Sequence, residues 1–368
     1  MKNKTYKILG LMSGTSMDGL DCCLCDIKIN KEYDFSYKII DWNTFPYSIR
    51  IKDLINDAMK YPIKSDYYSE ILGREFAKIS DYFLDGRTID LIGSHGQTIQ
   101  HIDKEYTKQI GSTKFLLNKF NVPVVSNFRE NDILAGGNGA PLIPFLDWLL
   151  FKNNLNDTFN LNIGGISNLS KVSNKISRKE VLGFDTGPGM SLIDEYVNLT
   201  WNETMDLDGK FSKKGKIISQ LEDDLLSHPY ILKHPPKSTG RHEFGLDLIN
   251  KIIIKYNKSS KNDIIRTLVS FTAKSICINL KKYLKFNTRN SDFYINGGGS
   301  HHPLLLKDLK KHSQIKHFLD LNKIGIHQDN KESFLIAVLS LCRFLEIPSN
   351  MSSVTGSKGN VILGDILF

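Results

Sequence analysis

The chain has 368 residues, 40% of them hydrophobic and 24% charged, which is long for one domain and enough for a core in each of two or three lobes. Its net charge of +8 comes from scattered lysines that cluster only at 213–216 and 307–316; no nucleic-acid module accompanies them, so the charge implies a modest pull on an anionic substrate and no nucleic-acid partner. No apolar run approaches the ~18 residues of a membrane helix and no signal peptide precedes the first strand, so a cytoplasmic protein without a membrane partner is expected.

Beta character dominates Lys7 to Thr44, where three apolar stretches are separated by SGTSMDG and NKEYD, as in a strand meander. Cys22, Cys23 and Cys25 lie in the second stretch. Neighbours in a strand face opposite sides, so these cysteines read as small buried residues and not as a metal cluster. Helical periodicity covers Ile49 to Lys60 and Ser65 to Leu84. A buried strand, IDLIGSHG, a helical patch at Thr113 to Phe120 and a second strand, VPVVSNF, follow. Strands alternating with helices predict a mostly parallel alpha/beta sheet.

The Gly- and Pro-rich stretch LAGGNGAPLIP, 134–144, reads as the passage between lobes, with domains at 1–140 and 141–368 and a C-terminal helix or strand packing back on the first. Beyond it the cycle restarts with a helix at Phe145 to Lys152, a hairpin at Phe159 to Val172, and a strand, VLGFD, running into TGPG. Helices are expected at Ser191 to Thr200, Lys214 to Leu226, Phe244 to Tyr256 and Asn262 to Leu284. DFYINGGGSHHPLL reads as strand, glycine turn and helix, and Lys331 to Phe344 as a closing amphipathic helix.

One pattern occurs twice: an apolar strand, a turn of Gly, Ser and Thr, and a second apolar strand, at Ile8 to Ile27 and again at Phe159 to Val172. Glycine lets backbone N–H groups approach a ligand closely, and N–H groups converging on one concavity suit phosphate. An ordinary hairpin turn is the alternative for either copy alone. The first turn has the Gly-x-x-x-x-Gly spacing of a P-loop, but Leu20 and Asp21 stand where that motif needs Lys and Ser/Thr, and a strand follows instead of a helix. It offers N–H groups, the hydroxyls of Ser13, Thr15 and Ser16, and the Asp18 carboxylate, which suits magnesium through water.

Asp185, in Gly183-Phe184-Asp185-Thr186-Gly187-Pro188-Gly189, is placed at the end of a buried strand, where ligands of alpha/beta sheets gather. It is the candidate general base; capping the next helix is its structural alternative. An aspartic protease needs a second Asp-Thr-Gly or Asp-Ser-Gly, and none exists. The run Asn296-Gly297-Gly298-Gly299-Ser300, between strand and helix, can meet a nucleotide with bare backbone. Adjacent His301 and His302 diverge on a helix and read as surface or capping residues. His95, Gln97 and Thr98 in GSHGQT group neutral donors and acceptors as a sugar site does. Lys237-Ser238-Thr239-Gly240-Arg241 adds two cations for a carboxylate or phosphate.

With these residues in hand, the chain resembles the anhydro-N-acetylmuramic acid kinases of the sugar kinase and actin-like ATPase superfamily. The resemblance rests on GLMSGTSMDGLD, GSHGQTI, GGNGAPLIP, LNIGGISNL, GFDTGPG, PPKSTGR, GGGSHHPLL, Glu332, SVTG and VILG, in that order over nearly the whole length. It implies a two-lobed actin-like, ribonuclease H-like ATPase fold with an interlobe cleft, ATP and Mg²⁺ as cofactors, and a homodimer. The reaction it implies opens 1,6-anhydro-N-acetylmuramic acid hydrolytically and phosphorylates O6, giving N-acetylmuramic acid 6-phosphate and ADP in peptidoglycan recycling. The family's ATP loop maps onto Gly14, Thr15, Ser16, Met17, Asp18, Gly19, Leu20 and Asp21, joined by Gly164, Gly165, Gly297, Gly298 and Gly299. Its catalytic aspartate maps onto Asp185, and the sugar-facing set onto His95, Gln97, Thr98, Arg129, Thr186 and Glu332.

The chain departs from the family at Ser112 and Asn127, where members carry Asp, and at Met190, where they carry Asn. A kinase for another anhydrosugar, such as levoglucosan, is the nearest alternative, and a nonenzymatic actin-like or chaperone-like ATPase the next. A sugar-responsive repressor needs an N-terminal helix-turn-helix, and the first strand begins by Lys7.

Overall fold

The computed structural model describes residues 4–14, 17–174, 177–286 and 290–368. Its strands are β1 (Tyr6–Ser13), β2 (Gly19–Ile29), β3 (Phe35–Pro46), β4 (Leu91–Ile102), β5 (Tyr106–Ile110), β6 (Val124–Ser126), β7 (Asp157–Ile163), β8 (Ile166–Val172), β9 (Leu182–Pro188), β10 (Ser291–Asn296) and β11 (Asp365–Leu367). Two compact units result, Met1–Leu150 with Asn322–Phe368, and Phe151–Leu321. The passage between them falls after the LAGGNGAPLIP stretch, within the helix Ile143–Phe151. The C-terminal segment belongs to the first unit through the Lys331–Phe344 helix, which lies on its sheet, and through β11, which pairs with β6.

Both sheets follow one plan. In the first, β1, β2 and β3 form an antiparallel meander, β4 adds parallel to β1 and β6 parallel to β4, in the order β11-β6-β4-β1-β2-β3 with β5 on β4. In the second, β7, β8 and β9 form the meander and β10 adds parallel to β7. The molecule is α/β, and this strand order matches the ribonuclease H-like plan that the family resemblance implies.

Apolar runs without strict alternation are buried on both faces. Leu9, Leu11, Cys22 and Leu24 pack on one side with Ile51, Ile55, Leu72 and Phe76 of the helices Ile49–Lys60 and Ser65–Leu84. The other side receives the Lys331–Phe344 helix. Gly10 and Gly93 are register partners across β1 and β4. A Cβ on Gly10 would lie 2.0 Å from the Ser333 carbonyl oxygen, and one on Gly93 would lie 2.1 Å from Ser340 Oγ. The helix therefore rests on bare strand backbone, and a buried ion pair from Lys331 Nζ to Asp147 Oδ1 at 2.6 Å secures its first turn. In the second unit, Phe159, Leu161, Ile163 and Phe184 form a core with the 24-residue helix Lys261–Leu284.

Three expectations change. Most strand pairs are antiparallel, so the sheets are mixed and not mostly parallel. β4 does not stop near Gly96; it runs to Ile102 and turns back as β5, a half-exposed pair whose alternating polar residues hide the strand signal. β9 runs through Asp185 to Pro188, because Gly187 and Pro188 still pair with Ser167 and Ile166 although Thr-Gly-Pro-Gly reads as a turn. The cysteines are buried strand and helix residues, and burial pushes the Cys22 and Cys25 thiols up. Among the described residues, no helix is long and apolar enough to cross a membrane.

Candidate functional site

In the first unit, β1 and β2 meet at the expected ATP loop. Thr15 and Ser16 lie outside the described residues. Met17 adopts a left-handed φ of 55°, and exposed Asp18 accepts the Tyr47 N–H on its carbonyl at 3.0 Å. Gly19 lies against β3, where a Cβ would sit 2.3 Å from the Phe45 carbonyl oxygen. The Leu20 side chain is fully buried in the core, so only its backbone can face a ligand. Asp21 accepts from Thr44 Oγ1 at 2.6 Å. Burial pushes its carboxyl up to about 6 against that bond, and Glu332, Asp329 and Asp18 add to the rise. A triphosphate in this acidic field needs a cation beside it. Magnesium is usually held by one or two carboxylates together with waters and substrate phosphates, which fits Asp18 and Asp21. Among the described residues, no group of three or more His, Cys, Asp or Glu makes a metal site by itself.

The sugar-facing candidates of this unit form a polar network under the strand. Ser13 Oγ donates to Gln97 Oε1 at 2.6 Å and bonds Tyr47 Oη at 2.6 Å, and Gln97 Nε2 donates to the Thr98 carbonyl at 3.3 Å. Thr98 Oγ1 accepts from Gln109 Nε2 at 3.3 Å. His95 has partners at both ring nitrogens: Nδ1 lies 2.9 Å from the Gly96 carbonyl, and Arg129 Nε donates to Nε2 at 3.1 Å. That pattern requires a neutral ring with its proton on Nδ1. Burial, then the Arg129 charge, pushes the His95 pKa down to about 3. A second arm of Arg129, Nη1, donates to the Gly139 carbonyl at 3.2 Å. Glu332 opens the Lys331–Phe344 helix and keeps solvent access; surrounding protein raises its carboxyl above the usual range, with Arg129 and Lys331 opposing.

One family departure, Asn127, has a local reason, and nothing in the structure explains the serine at Ser112. Asn127 is exposed, has a left-handed φ of 57°, and donates from Nδ2 to Asp365 Oδ2 at 2.8 Å. An aspartate there would set two carboxylates together. Ser112 donates its N–H to the Ser69 carbonyl at 2.8 Å, against the Ser65–Leu84 helix.

In the second unit, three expected segments converge at the C-terminal ends of β7 and β10. Gly164 and Gly165 form the β7–β8 turn, and their carbonyls accept the N–H groups of Met190 at 2.8 Å and of Gly189 and Ser191 at 2.9 and 3.0 Å. The start of the helix Ser191–Trp201 is thus tied to the turn, and Met190 caps it without a side-chain bond, where Asn would supply one. Gly297 and Gly299 pack on Ile163, since their Cβ atoms would lie 2.6 Å from its carbonyl oxygen and 2.4 Å from its Cγ2, whereas Gly298 has nothing within 4 Å. The outer glycines serve close packing and the middle one presents open backbone. His302 caps the helix Pro303–Ser313 by accepting the Leu305 N–H at 3.2 Å, and its Nε2 donates to buried Asp206 at 3.1 Å. His301 is exposed.

Asp185 lies one residue past the register shift between Ser167 and Asn168, an irregularity that re-aims side chains. It is half-buried, and its Oδ2 accepts the Thr239 N–H at 3.0 Å and Ser238 Oγ at 3.1 Å, while its carbonyl accepts Tyr230 Oη at 2.9 Å. These bonds hold the carboxylate to the KSTGR segment, and the next helix has Met190 at its N-cap. Thr186 is fully buried, with Oγ1 2.6 Å from Ser167 Oγ. The two cations of KSTGR have different surroundings. Lys237 Nζ is buried, donating to the Tyr230 and Ile231 carbonyls at 3.1 and 3.2 Å, with the rings of Tyr230, Tyr283 and Phe184 around it. Burial lowers its pKa to about 8. Arg241 is exposed, 3.9 Å from where a Cβ on Gly165 would stand, and pairs with Glu195 at 3.1 Å.

Asp194, one turn into the helix Ser191–Trp201, and the Ser13–Tyr47–Gln97 network carry no signal in the sequence. An acidic residue inside a helix start carries no motif, and the network joins residues distant in sequence.

Comparison with known proteins comes down on one description. A family profile described as anhydro-N-acetylmuramic acid kinase matches residues 6–368. The chain is 34% identical to the anhydro-N-acetylmuramic acid kinase of Bacillus cereus over 98% of its own length and 99% of the relative's, and equally to that of Bacillus anthracis over the same shares. Solved structures align more loosely. A Streptomyces griseus ROK family glucokinase, in complex with glucose and AMPPNP, aligns over 91% of this chain and 99% of its own at 9% identity and a TM-score of 0.39. The component A of the Acidaminococcus fermentans (R)-2-hydroxyglutaryl-CoA dehydratase aligns over 91% and 97% at 11% identity and 0.44.

Proposed function

We propose that this chain, which belongs to the anhydro-N-acetylmuramic acid kinase family and is thereby a kinase of 1,6-anhydro-N-acetylmuramic acid in cell-wall recycling, uses Asp185 as its general base and ATP as its phosphoryl donor. The observation that carries the reading is the half-buried Asp185 carboxylate, held at one oxygen by Thr239 and Ser238. Asp185 takes a proton from water as the water oxygen bonds to the anomeric carbon. The bond from that carbon to O6 breaks, and O6 bonds to the γ-phosphorus as the bond to the ADP oxygen breaks. The products are N-acetylmuramic acid 6-phosphate, ADP and the proton on Asp185.

Open backbone at Gly164, Gly165 and Gly298 supports assigning the nucleotide's phosphates to the second unit, with the Gly14–Asp21 turn as the second phosphate-facing segment. Magnesium, held through Asp18 and Asp21, neutralises charge on the transferring phosphoryl group when bound. Arg129 and Glu332 are assigned to the sugar, with Gln97 and Thr98 behind them. His95 acts through Arg129 as a positioning residue. His95→Leu is expected to raise KM for the anhydrosugar by roughly 10- to 100-fold, since a charge-assisted bond is lost and a buried guanidinium arm is left unpaired. His95→Gln, which still offers an acceptor, restores most of it. Because the ring stays neutral, no His95 step appears in the kcat profile between roughly pH 5 and 9. A homodimer and a cytoplasmic location go with this reading, and light scattering and cell fractionation test them.

The function itself is tested by coupled ADP release against anhydro-N-acetylmuramic acid, levoglucosan and N-acetylmuramic acid. Anhydro-N-acetylmuramic acid is expected to give the highest kcat/KM. Preference for levoglucosan would move the substrate, and preference for N-acetylmuramic acid would remove ring opening from the reaction.

A further inference from the structure

Among the described residues, Asp194 is the carboxylate near the glycine segments of the second unit that has a buried oxygen without a hydrogen-bond partner. That oxygen is Oδ1, and the state is a costly one for a carboxylate. Its position is fixed from three sides. Its N–H donates to the Met190 carbonyl at 2.8 Å, and Met190 is itself bonded to Gly164. Arg241, beside Gly165, and His302, whose N–H donates to the Gly299 carbonyl at 3.1 Å, both lie within electrostatic reach. Asp194 therefore stands between the two glycine segments. Burial holds its carboxyl up to about 7; Arg241 and His302 oppose the rise, and Glu195 and Asp206 reinforce it.

Above about pH 7 Asp194 is a carboxylate, which only accepts hydrogen bonds. Phosphate oxygens are acceptors too, so the missing partner is not the phosphate chain. The donors on an adenine nucleotide are the ribose hydroxyls and the amino group of the base, and the ribose is bonded directly to the phosphates. We propose that Asp194 accepts a hydrogen bond from a ribose hydroxyl of the phosphoryl donor and so sets a preference for ribonucleotides over deoxyribonucleotides. This rests on the assignment of the nucleotide to the second unit.

Calorimetric binding of ADP, 2′-deoxy-ADP and 3′-deoxy-ADP, with kcat/KM for ATP and the matching deoxy-ATPs, tests it. Wild type is expected to favour the ribonucleotide over one deoxy form by roughly 10- to 100-fold, the range of one hydrogen bond to a charged group. Asp194→Ala is expected to bring that ratio to within about threefold, with KM for the anhydrosugar unchanged. Asp194→Asn keeps the shape and an acceptor oxygen and is expected to fall between the two, which covers the case in which the alanine variant does not fold. Equal binding of all three nucleotides by wild type, or an undiminished preference in both variants, overturns the Asp194 assignment alone. Failure of wild type to bind any adenine nucleotide overturns the nucleotide assignment beneath it.

Discussion

Asp185→Asn is expected to fold, to bind nucleotide as tightly as wild type and to turn over anhydro-N-acetylmuramic acid about 10²- to 10⁴-fold more slowly, the usual cost of losing a general base. The substitution is nearly isosteric. An asparagine whose amide oxygen keeps the place of Oδ2 still accepts from Thr239 and Ser238, and the backbone bonds to Lys237 and Tyr230 do not involve the side chain. What disappears is the capacity to take a proton. The fall should therefore appear in kcat, with KM for ATP and the thermal unfolding temperature close to wild type. Near-normal kcat would remove Asp185 from the role of base and return attention to Glu332, the carboxylate proposed for the sugar site.

The second large effect is on stability. Gly10→Ala is expected to destabilise the first unit by about 1–3 kcal/mol, at the upper end of that range, because the added methyl meets backbone that has nowhere to go. Its Cβ would lie 2.0 Å from the Ser333 carbonyl oxygen and 2.9 Å from the Ala337 nitrogen. A long flexible side chain could swing aside; two consecutive turns of a helix fixed by the Lys331–Asp147 pair cannot. For a unit of this size the loss corresponds to a fall of roughly 4–12 °C in unfolding temperature. Differential scanning calorimetry reads it directly. Gly298→Ala is the control, since its methyl meets nothing within 4 Å, and its unfolding temperature should stay near wild type. An unchanged Gly10→Ala transition would mean that the helix can lift from the strands at little cost.

Much of the architecture is readable in the residues because local signals agree there. The helices at Ile49–Lys60, Ser65–Leu84 and Lys331–Phe344 have the limits that periodicity predicts, and the two meanders follow their apolar runs. The signal fails where extended backbone is polar or rich in turn residues. β5 has too few apolar positions to announce itself, and Asp185 lies inside a strand whose last residues read as a turn. Side-chain roles are harder still. Lys237 and Arg241 are four residues apart and look alike as cations, yet Tyr230, Tyr283 and Phe184 enclose one while the other stands in the open. Whether a histidine meets ligand or protein is set the same way: Arg129, far along the chain, occupies His95. Gly10 and Gly93 carried a usable hint, since a glycine in each of two apolar strands marks a place where something approaches closely.

The division of the chain has a consequence for how the protein is made. The second unit is one uninterrupted stretch, whereas the first receives the Lys331–Phe344 helix and β11 only after that stretch has been spelled out. On a ribosome, where segments fold as they emerge, the middle of the message can reach its finished form while the beginning still waits for its last structural piece. The opening residues expressed by themselves leave the glycine floor on Gly10 and Gly93 uncovered, so a fragment ending near Leu150 should be recovered in soluble form only when residues 322–368 are supplied with it.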